Sequence, residues 1–364
     1  MLPTDFDFHL PPELIAQAAV SRGESRLLHL DRASGATEHH SFADLPRLLR
    51  AGDVLVLNNT RVFAARLLGH RVPSGGAVEC LLLERADASE ATDAASPPAA
   101  SGGGERWTAL MHPGQKLKPG SLVRFQDASG RALMGEVLER HFHGRRTIRL
   151  WSEDGATVNS LVDALGHVPL PPYIHRPDTT DDRERYQTVF ARVRGSVAAP
   201  TAGLHFTTSL IDDLRAHGVE PVEVTLHVGY GTFKPITADR VGDHVVDPES
   251  YEIPQETATR IARARAEGRR VIAVGTTTTR ALEDAARRGD GVVCAGAGRA
   301  EIFIYPGHTF QVIDGLITNF HLPKSSLLML VCALAGTAPV LRAYQEAIER
   351  RYRFYSYGDA MLVI

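Results

Sequence analysis

The sequence predicts an α/β body with a small antiparallel β-barrel inserted into it, and three observations lead there. Outside residues 61–151, strand-length apolar runs interleave with amphipathic helix patterns closed by glycine, the rhythm of an α/β layer. Inside that segment, six short apolar runs follow one another between Gly/Pro turns with no helical pattern among them. The charge divides at the same place: residues 61–150 carry 13 Lys+Arg against 9 Asp+Glu, a net of +4, while the rest of the chain nets −7.

Taken in chain order, 53–57 (Asp-Val-Leu-Val-Leu) is a buried strand. Barrel strands are expected at 64–68, 78–83, 107–111, 122–125, 132–138 and 147–151. The last of them, Thr-Ile-Arg-Leu-Trp, alternates apolar with polar residues and is β-branched and aromatic. Turns fall at Pro73-Ser74-Gly75-Gly76, His112-Pro113-Gly114 and Lys118-Pro119-Gly120. The stretch 86–105, rich in Ala, Ser, Pro and Gly, has too little apolar content to offset ordering entropy and reads as a flexible loop.

Helix 209–217 is closed by Gly218 and followed by strand 222–228; helix 255–267 is stopped by Gly268 and followed by strand 270–274. Helix 277–288, strand 300–305 and helices 325–334 and 338–351 complete the pattern, with no internal repeat. The expected division is a discontinuous body, 1–60 plus 152–364, and a barrel at 61–151.

At 364 residues, 43% hydrophobic and 23% charged, the chain is long enough for two domains and is neither collagen-like nor wholly disordered. No apolar run approaches the length of a membrane span, and the acidic N-terminal stretch lacks the apolar core of a signal peptide. Cys80, Cys294 and Cys332 are isolated and form no CxxC pair, so neither a disulfide nor a zinc framework is expected and a reducing cytoplasm fits. A net charge of −3 speaks against a polyanionic partner only as an average; the +4 barrel leaves room for RNA.

Several segments carry chemistry. Asn58-Asn59-Thr60-Arg61 leaves a strand end with donors and acceptors suited to a polar ligand edge, although Asn-Asn is equally good turn chemistry. Residues 195–206 are nearly all small before His205, which permits close backbone approach to a ligand or a tightly packed crossover. Strand 222–228 runs into His227-Val228-Gly229-Tyr230-Gly231-Thr232, which lacks the third glycine of a dinucleotide fingerprint.

His244, Asp247 and Glu249 lie within six residues and supply acid/base groups, or a solvated loop; they have no metal-ligand spacing. Gly275-Thr276-Thr277-Thr278-Thr279-Arg280 follows a strand and opens a helix, which suits a carboxylate or phosphate without matching a P-loop. Thr is also an ordinary helix cap. The segment 318–326, with Asn319, His321 and Lys324, precedes another helix, and the aromatic-basic tail 352–360 either stacks on bases or packs.

Together these segments resemble the S-adenosylmethionine:tRNA ribosyltransferase-isomerase family of queuosine biosynthesis. The resemblance runs from Asp5-Phe6-Asp7-Phe8 and Ser25-Arg26-Leu27-Leu28, through Leu57–Val62, Pro169–Ile174, Tyr186–Val189, Val197–Phe206 and Val224–Phe233, to Ile272–Thr277, Ile302–Gly307, Ile317–Lys324 and Tyr352–Met361. It implies an α/β body with an inserted barrel. It also implies S-adenosylmethionine consumed as a ribosyl donor, with no metal or redox cofactor. The acceptor is 7-aminomethyl-7-deazaguanine at the tRNA wobble position, and the products are epoxyqueuosine-tRNA, adenine and methionine. A monomer free of membranes is expected.

On that resemblance His205, His244 and Glu249 are the candidates for proton transfer, with His227 and His321 in reserve. Gly275, Thr276 and Thr277, with Arg280, would take the methionine carboxylate; Asn58, Asn59, Thr60 and Arg61 would take the adenine, ribose or deazaguanine. Pro200, Thr201, Gly203, Gly229, Gly231 and Thr232 are further substrate contacts, as are Asp247, Asn319, Lys324 and Asp359. Lys116, Lys118, Arg145 and Arg146 are assigned to tRNA phosphates. The sequence departs from the family pattern at Asp247, where some relatives have a second His, at Thr278, where Ser is common, and at Ala64, where Pro is common. Two other readings stand beside this one: an S-adenosylmethionine-dependent tRNA methyltransferase and a non-catalytic tRNA-binding protein.

Overall fold

The computed structural model describes residues 1–86, 104–233 and 236–364. The body opens with a hairpin of β1 (Arg26–Leu30) and β2 (Thr37–Ser41), then α1 (Leu45–Leu48), β3 (Val54–Asn58) and a short β4 (Thr60–Val62). Six strands follow: β5 (Arg66–Val72), β6 (Ala77–Arg85), β7 (Glu105–His112), β8 (Leu122–Gln126), β9 (Ala132–Arg140) and β10 (Arg145–Trp151). Next come α2 (Val158–Leu165), α3 (Asp182–Arg185), β11 (Val193–Ser196), α4 (Thr208–Ala216), β12 (Glu220–Leu226) and β13 (Glu249–Ile253). The chain continues with α5 (Gln255–Ala266), β14 (Val271–Val274), α6 (Thr276–Arg288) and β15 (Gly296–Ala300). It ends with β16 (Gly315–Asn319), α7 (Ser326–Ala335), α8 (Thr337–Glu349) and β17 (Ala360–Val363).

Two compact units divide the chain: Met1–Arg61 with Pro171–Pro177 and Glu184–Ile364, and Val62–Leu170 with Asp178–Arg183. The sequence placed 152–170 in the body; the contacts place it with the barrel. The helix α2 packs on β9, and His167 bridges antiparallel to Arg66. Gly166 lies so close to this strand that a Cβ there would meet the Ala64 carbonyl oxygen at 2.0 Å. Asp178 then accepts from the Val168 N–H at 2.9 Å, which draws 178–183 into the same unit.

The body sheet has nine strands in the order β15-β13-β12-β3-β14-β16-β17-β1-β2, and its centre, β12-β3-β14-β16, is parallel. Helices cover both faces of such a sheet, so its strands read as continuous apolar runs. In β3, Val54 and Val56 join the core beneath α5 to α8, whereas Leu55 and Leu57 join Phe42, Phe206 and Leu214 on the other side. The expected strand at 300–305 is shorter and earlier. Arg280 takes the carbonyls of Ala300 and Ile302, which removes acceptors from any further ladder. The acid/base segment at 244–251, by contrast, enters a strand: β13 pairs antiparallel with β12 and β15.

The barrel closes in the order β10-β7-β6-β5-β8-β9, and all six expected strands are present. Its interior holds Leu67, Cys80, Leu82, Val123, Val137 and Ile148. Arg146 corrects an expectation. It is only 1% exposed and donates to the carbonyls of Leu117 at 3.1 Å, Arg145 at 2.7 Å and Gly114 at 2.5 Å, so it braces the barrel and has no free face for a phosphate. Lys116 and Lys118 are exposed and Arg145 is half-buried. Of the loop expected at 86–105, residues 87–103 lie outside the described residues. Among the described residues no single helix is long and apolar enough to cross a membrane.

Candidate active site

Parallel strands point their carboxyl ends to one edge, where loops gather and ligands of α/β proteins bind. In the body that edge opens into a cavity lined by the ends of three of these strands. Val228 follows β12, Gly275-Thr276-Thr277 follow β14, and Thr318, Asn319 and His321 come from the end of β16. The small-residue loop contributes Ala199, Pro200, Thr201 and Ala202. Tyr173, Leu327, Tyr355 and Ser356 complete the wall.

The start of α6 is shaped by Gly275, whose φ of 93° is a conformation L side chains rarely adopt. Thr278 and Thr279 turn their hydroxyls back onto the carbonyls of Val274 and Gly275, at 2.6 and 3.2 Å. Thr276 and Thr277 are left on the cavity wall, beside the first-turn N–H groups and the positive end of the helix dipole. That is carboxylate-binding chemistry.

A chain of hydrogen bonds fixes the polar wall. The Thr201 hydroxyl donates to Asn319 Oδ1 at 2.8 Å, and Asn319 Nδ2 donates to His205 Nε2 at 3.0 Å. The His205 Nδ1 proton then points to Ser25 Oγ at 2.8 Å. His205 is buried, and burial pulls its pKa down to about 4; Asp359 opposes this, while Arg353 and Arg22 reinforce it. It stands one side chain behind the cavity and lines a separate hollow with Arg22 and Arg185. His321 faces the cavity itself. Its Nε2 shares a hydrogen bond with Thr318 Oγ1 at 2.8 Å, its backbone N–H donates to the Tyr344 hydroxyl at 3.0 Å, and burial lowers the pKa of the imidazole to about 3.

A second hollow, of about 420 Å³, adjoins the first through Leu327 and contains Gly231, Asp247, Glu249 and Arg280. Glu249 is tied to the Arg280 guanidinium through Oε2 and accepts the Gly229 N–H at 3.0 Å through Oε1. Neither charge of this buried pair stands alone. His244, expected to work with Glu249, packs edge-on against Phe303 with ring centres 5.0 Å apart and lines neither hollow.

The Asn58-Asn59-Thr60 cluster is committed to the protein. Asn58 donates to the Leu226 carbonyl and accepts the Leu226 and Thr60 N–H groups, at 3.0, 3.0 and 3.2 Å. Asn59 pairs with Glu223 and Thr225. Thr60 bonds Ser196 at 2.7 Å and His227 Nδ1 at 2.9 Å, and burial lowers the pKa of that imidazole. Arg61 is exposed on β4. Gly203 packs against Phe190 and Thr188, Lys324 pairs with Asp7 at 2.7 Å, and Asp359 is buried between Arg26 and Arg353. The side chain of Thr232 lies outside the described residues.

Sequence reasoning missed Tyr173, Leu327, Tyr355 and Ser356 as cavity residues. The aromatic tail was the available signal: Tyr355 sits at φ 74°, a strained value for a bulky residue, and its ring stands 3.9 Å from that of Tyr173. The two neutral imidazoles set an acid limit on stability. The unfolded chain takes up their protons near pH 6.5, the folded chain only near 4 and 3, so stability is retained above about pH 6.5 and lost as pH falls through that window. Two such groups steepen the loss by about 2.7 kcal/mol per pH unit, and denaturant titrations across that window should show His321→Asn removing about half of the slope.

The sequence pattern of the family described as queuosine biosynthesis protein matches residues 3–363. An S-adenosylmethionine:tRNA ribosyltransferase-isomerase of Heliobacterium modesticaldum is 49% identical over 361 residues, 99% of this chain and 98% of that protein. One of Citrifermentans bemidjiense is 49% identical over 364 residues, 100% of each chain. The crystal structure of an S-adenosylmethionine tRNA ribosyltransferase from Thermotoga maritima, 35% identical, superposes with a TM-score of 0.53 over 99% of this chain and 100% of that one. With an α/β body, a closed six-stranded barrel and relatives of this identity along its whole length, the chain belongs to the S-adenosylmethionine:tRNA ribosyltransferase-isomerase family of queuosine biosynthesis.

Proposed function

We propose that this protein transfers and isomerises the ribosyl group of S-adenosylmethionine onto 7-aminomethyl-7-deazaguanine at the tRNA wobble position, giving epoxyqueuosine-tRNA, adenine and methionine. The observation that carries the reading is the composition of the cavity wall: a helix start for a carboxylate, a tyrosine pair for a flat base and a neutral imidazole. In this reading the methionine carboxylate sits at Thr276 and Thr277, and Tyr355 forms a wall for the purine. A base must take the proton on the ribose carbon beside the sulfonium, where the positive sulfur stabilises the resulting ylide, and the attacking amine must be neutral.

His321 is our choice for that base, because it faces the cavity and burial keeps it unprotonated. His205 becomes a positioning residue that holds Asn319, and Glu249 positions Arg280 and Gly229. His244 has no part in proton transfer in this reading. S-adenosylmethionine is consumed as a substrate, and the scheme calls for no resident cofactor or metal. We place the reaction in the cytoplasm, carried out by a monomer, with tRNA phosphates held by Lys116, Lys118 and Arg145 of the barrel.

Incubation with S-adenosylmethionine and precursor-bearing tRNA, followed by chromatography of the small molecules, tests the reaction. Adenine plus methionine is expected; S-adenosylhomocysteine would indicate a methyltransferase, and no turnover a binding protein. Steady-state kinetics should separate two roles in the wall. Tyr355→Ala is expected to raise KM for S-adenosylmethionine about tenfold, and His321→Asn to lower kcat about 100-fold. Converting Lys116 and Lys118 to Glu should weaken tRNA binding and flatten its dependence on salt; an unchanged slope would move the RNA elsewhere.

A further inference from the structure

Three metal-competent side chains, none of which lines the cavity, meet on the hairpin of β1 and β2. His29 and Glu38 are direct cross-strand partners, and Leu27 is opposite His40. Side chains alternate along a strand, so Glu38 and His40 share a face of β2, the face that His29 presents on β1. His29 Nδ1 lies 3.5 Å from Glu38 Oε2, and His40 Nε2 lies 3.2 Å from the same oxygen. All three ligand atoms fall within 4.8 Å of one another.

The two separations from Glu38 Oε2 match what a small cation requires. With bonds of roughly 2.0–2.1 Å to imidazole nitrogen and carboxylate oxygen, neighbouring ligands of a tetrahedral zinc ion stand about 3.3 Å apart. His29 Nδ1 is buried at the atom level and, apart from its 3.5 Å contact with Glu38, meets no hydrogen-bonding partner. The neighbouring His39 shows the contrast. On the opposite face of β2, its Nδ1 meets the Tyr352 hydroxyl at 2.8 Å and its Nε2 meets Glu346 at 2.8 Å, so both nitrogens are committed.

We propose that His29, Glu38 and His40 form a binding site for a borderline divalent transition-metal ion such as zinc, completed by water, on the edge hairpin of the sheet. Two imidazoles and one carboxylate select zinc and its neighbours over magnesium or calcium, which prefer oxygen ligands. Bound there, the ion ties the edge strand β2 to β1. It stands apart from the proposed reaction, because none of the three residues lines the cavity.

The test is calorimetric titration of the full-length protein, freed of metal, with zinc chloride. One equivalent is expected to bind, and the melting temperature is expected to rise with zinc. His29→Ala and His40→Ala should each weaken binding by roughly tenfold or more, Glu38→Gln should weaken it as well, and His39→Ala should leave it unchanged. Cobalt titration supplies a second readout, its visible band being lost in the His29→Ala and His40→Ala variants. Equal zinc affinity in wild type and in the His29→Ala/His40→Ala double variant, or loss of binding in His39→Ala alone, would overturn the assignment.

Discussion

A helix with polar side chains along much of its length is buried in the middle of the body, and the site depends on how those side chains are satisfied. The run Thr276–Ala286 is buried throughout, though it contains Thr276 to Thr279, Arg280, Glu283 and Asp284. Polar groups removed from water cost several kcal/mol unless they are paired, so each of them constrains a neighbour. Arg280 gathers Glu249 and the carbonyls of Ala300 and Ile302; Glu283 accepts the N–H groups of Gln311, Val312 and Ile313. Asp284 takes Arg287, Arg288 and the Tyr251 hydroxyl. The helix start is thereby held in place, with Thr276 and Thr277 facing the cavity.

The barrel was legible because its strands alternate one buried and one wet face, and each apolar run of the sequence became one strand. The same rule could have corrected Arg146. It shares a face of β10 with Ile148 and Leu150, so a two-residue period points it into the interior, where it is found. A count of charges by segment carries no such direction. The boundary of the barrel unit was less legible, because 152–170 has a helix pattern and helices suggested the body. What assigns it is a close approach of Gly166 to Ala64, a contact between distant positions that sequence patterning does not encode.

In the site, the helix start at Gly275 and the small-residue loop at 199–202 were legible because strand, glycine and small side chains are local signals. Asn58 and Asn59 were ambiguous for a physical reason: a carboxamide offers the same donors and acceptors to the rest of the protein as to a ligand, and only the fold shows which partners it meets, here Leu226, Thr60, Glu223 and Thr225. Tyr173 and Tyr355 are half the chain apart, so their pairing had no local signature. The His29, Glu38 and His40 cluster has the same origin. Its spacing fits no metal motif, and cross-strand register alone brings it together.

The electrostatics of the cavity bear on why its wall is built of hydroxyls, carboxamide and neutral imidazole. Among the described residues no Asp or Glu lines it, and in the adjoining hollow the Glu249 carboxylate is matched by Arg280. A carboxylate against the sulfonium of the proposed substrate would stabilise the ground state and weaken the pull of the positive sulfur on the neighbouring C–H bond. A wall without net charge leaves that pull intact, in surroundings where low polarisability strengthens it. The same burial that lowers the pKa of His321 keeps the proposed base unprotonated and spares the sulfonium a second positive charge beside it. It also weakens the imidazole as a base, so the acidity conferred by the sulfonium carries more of the step.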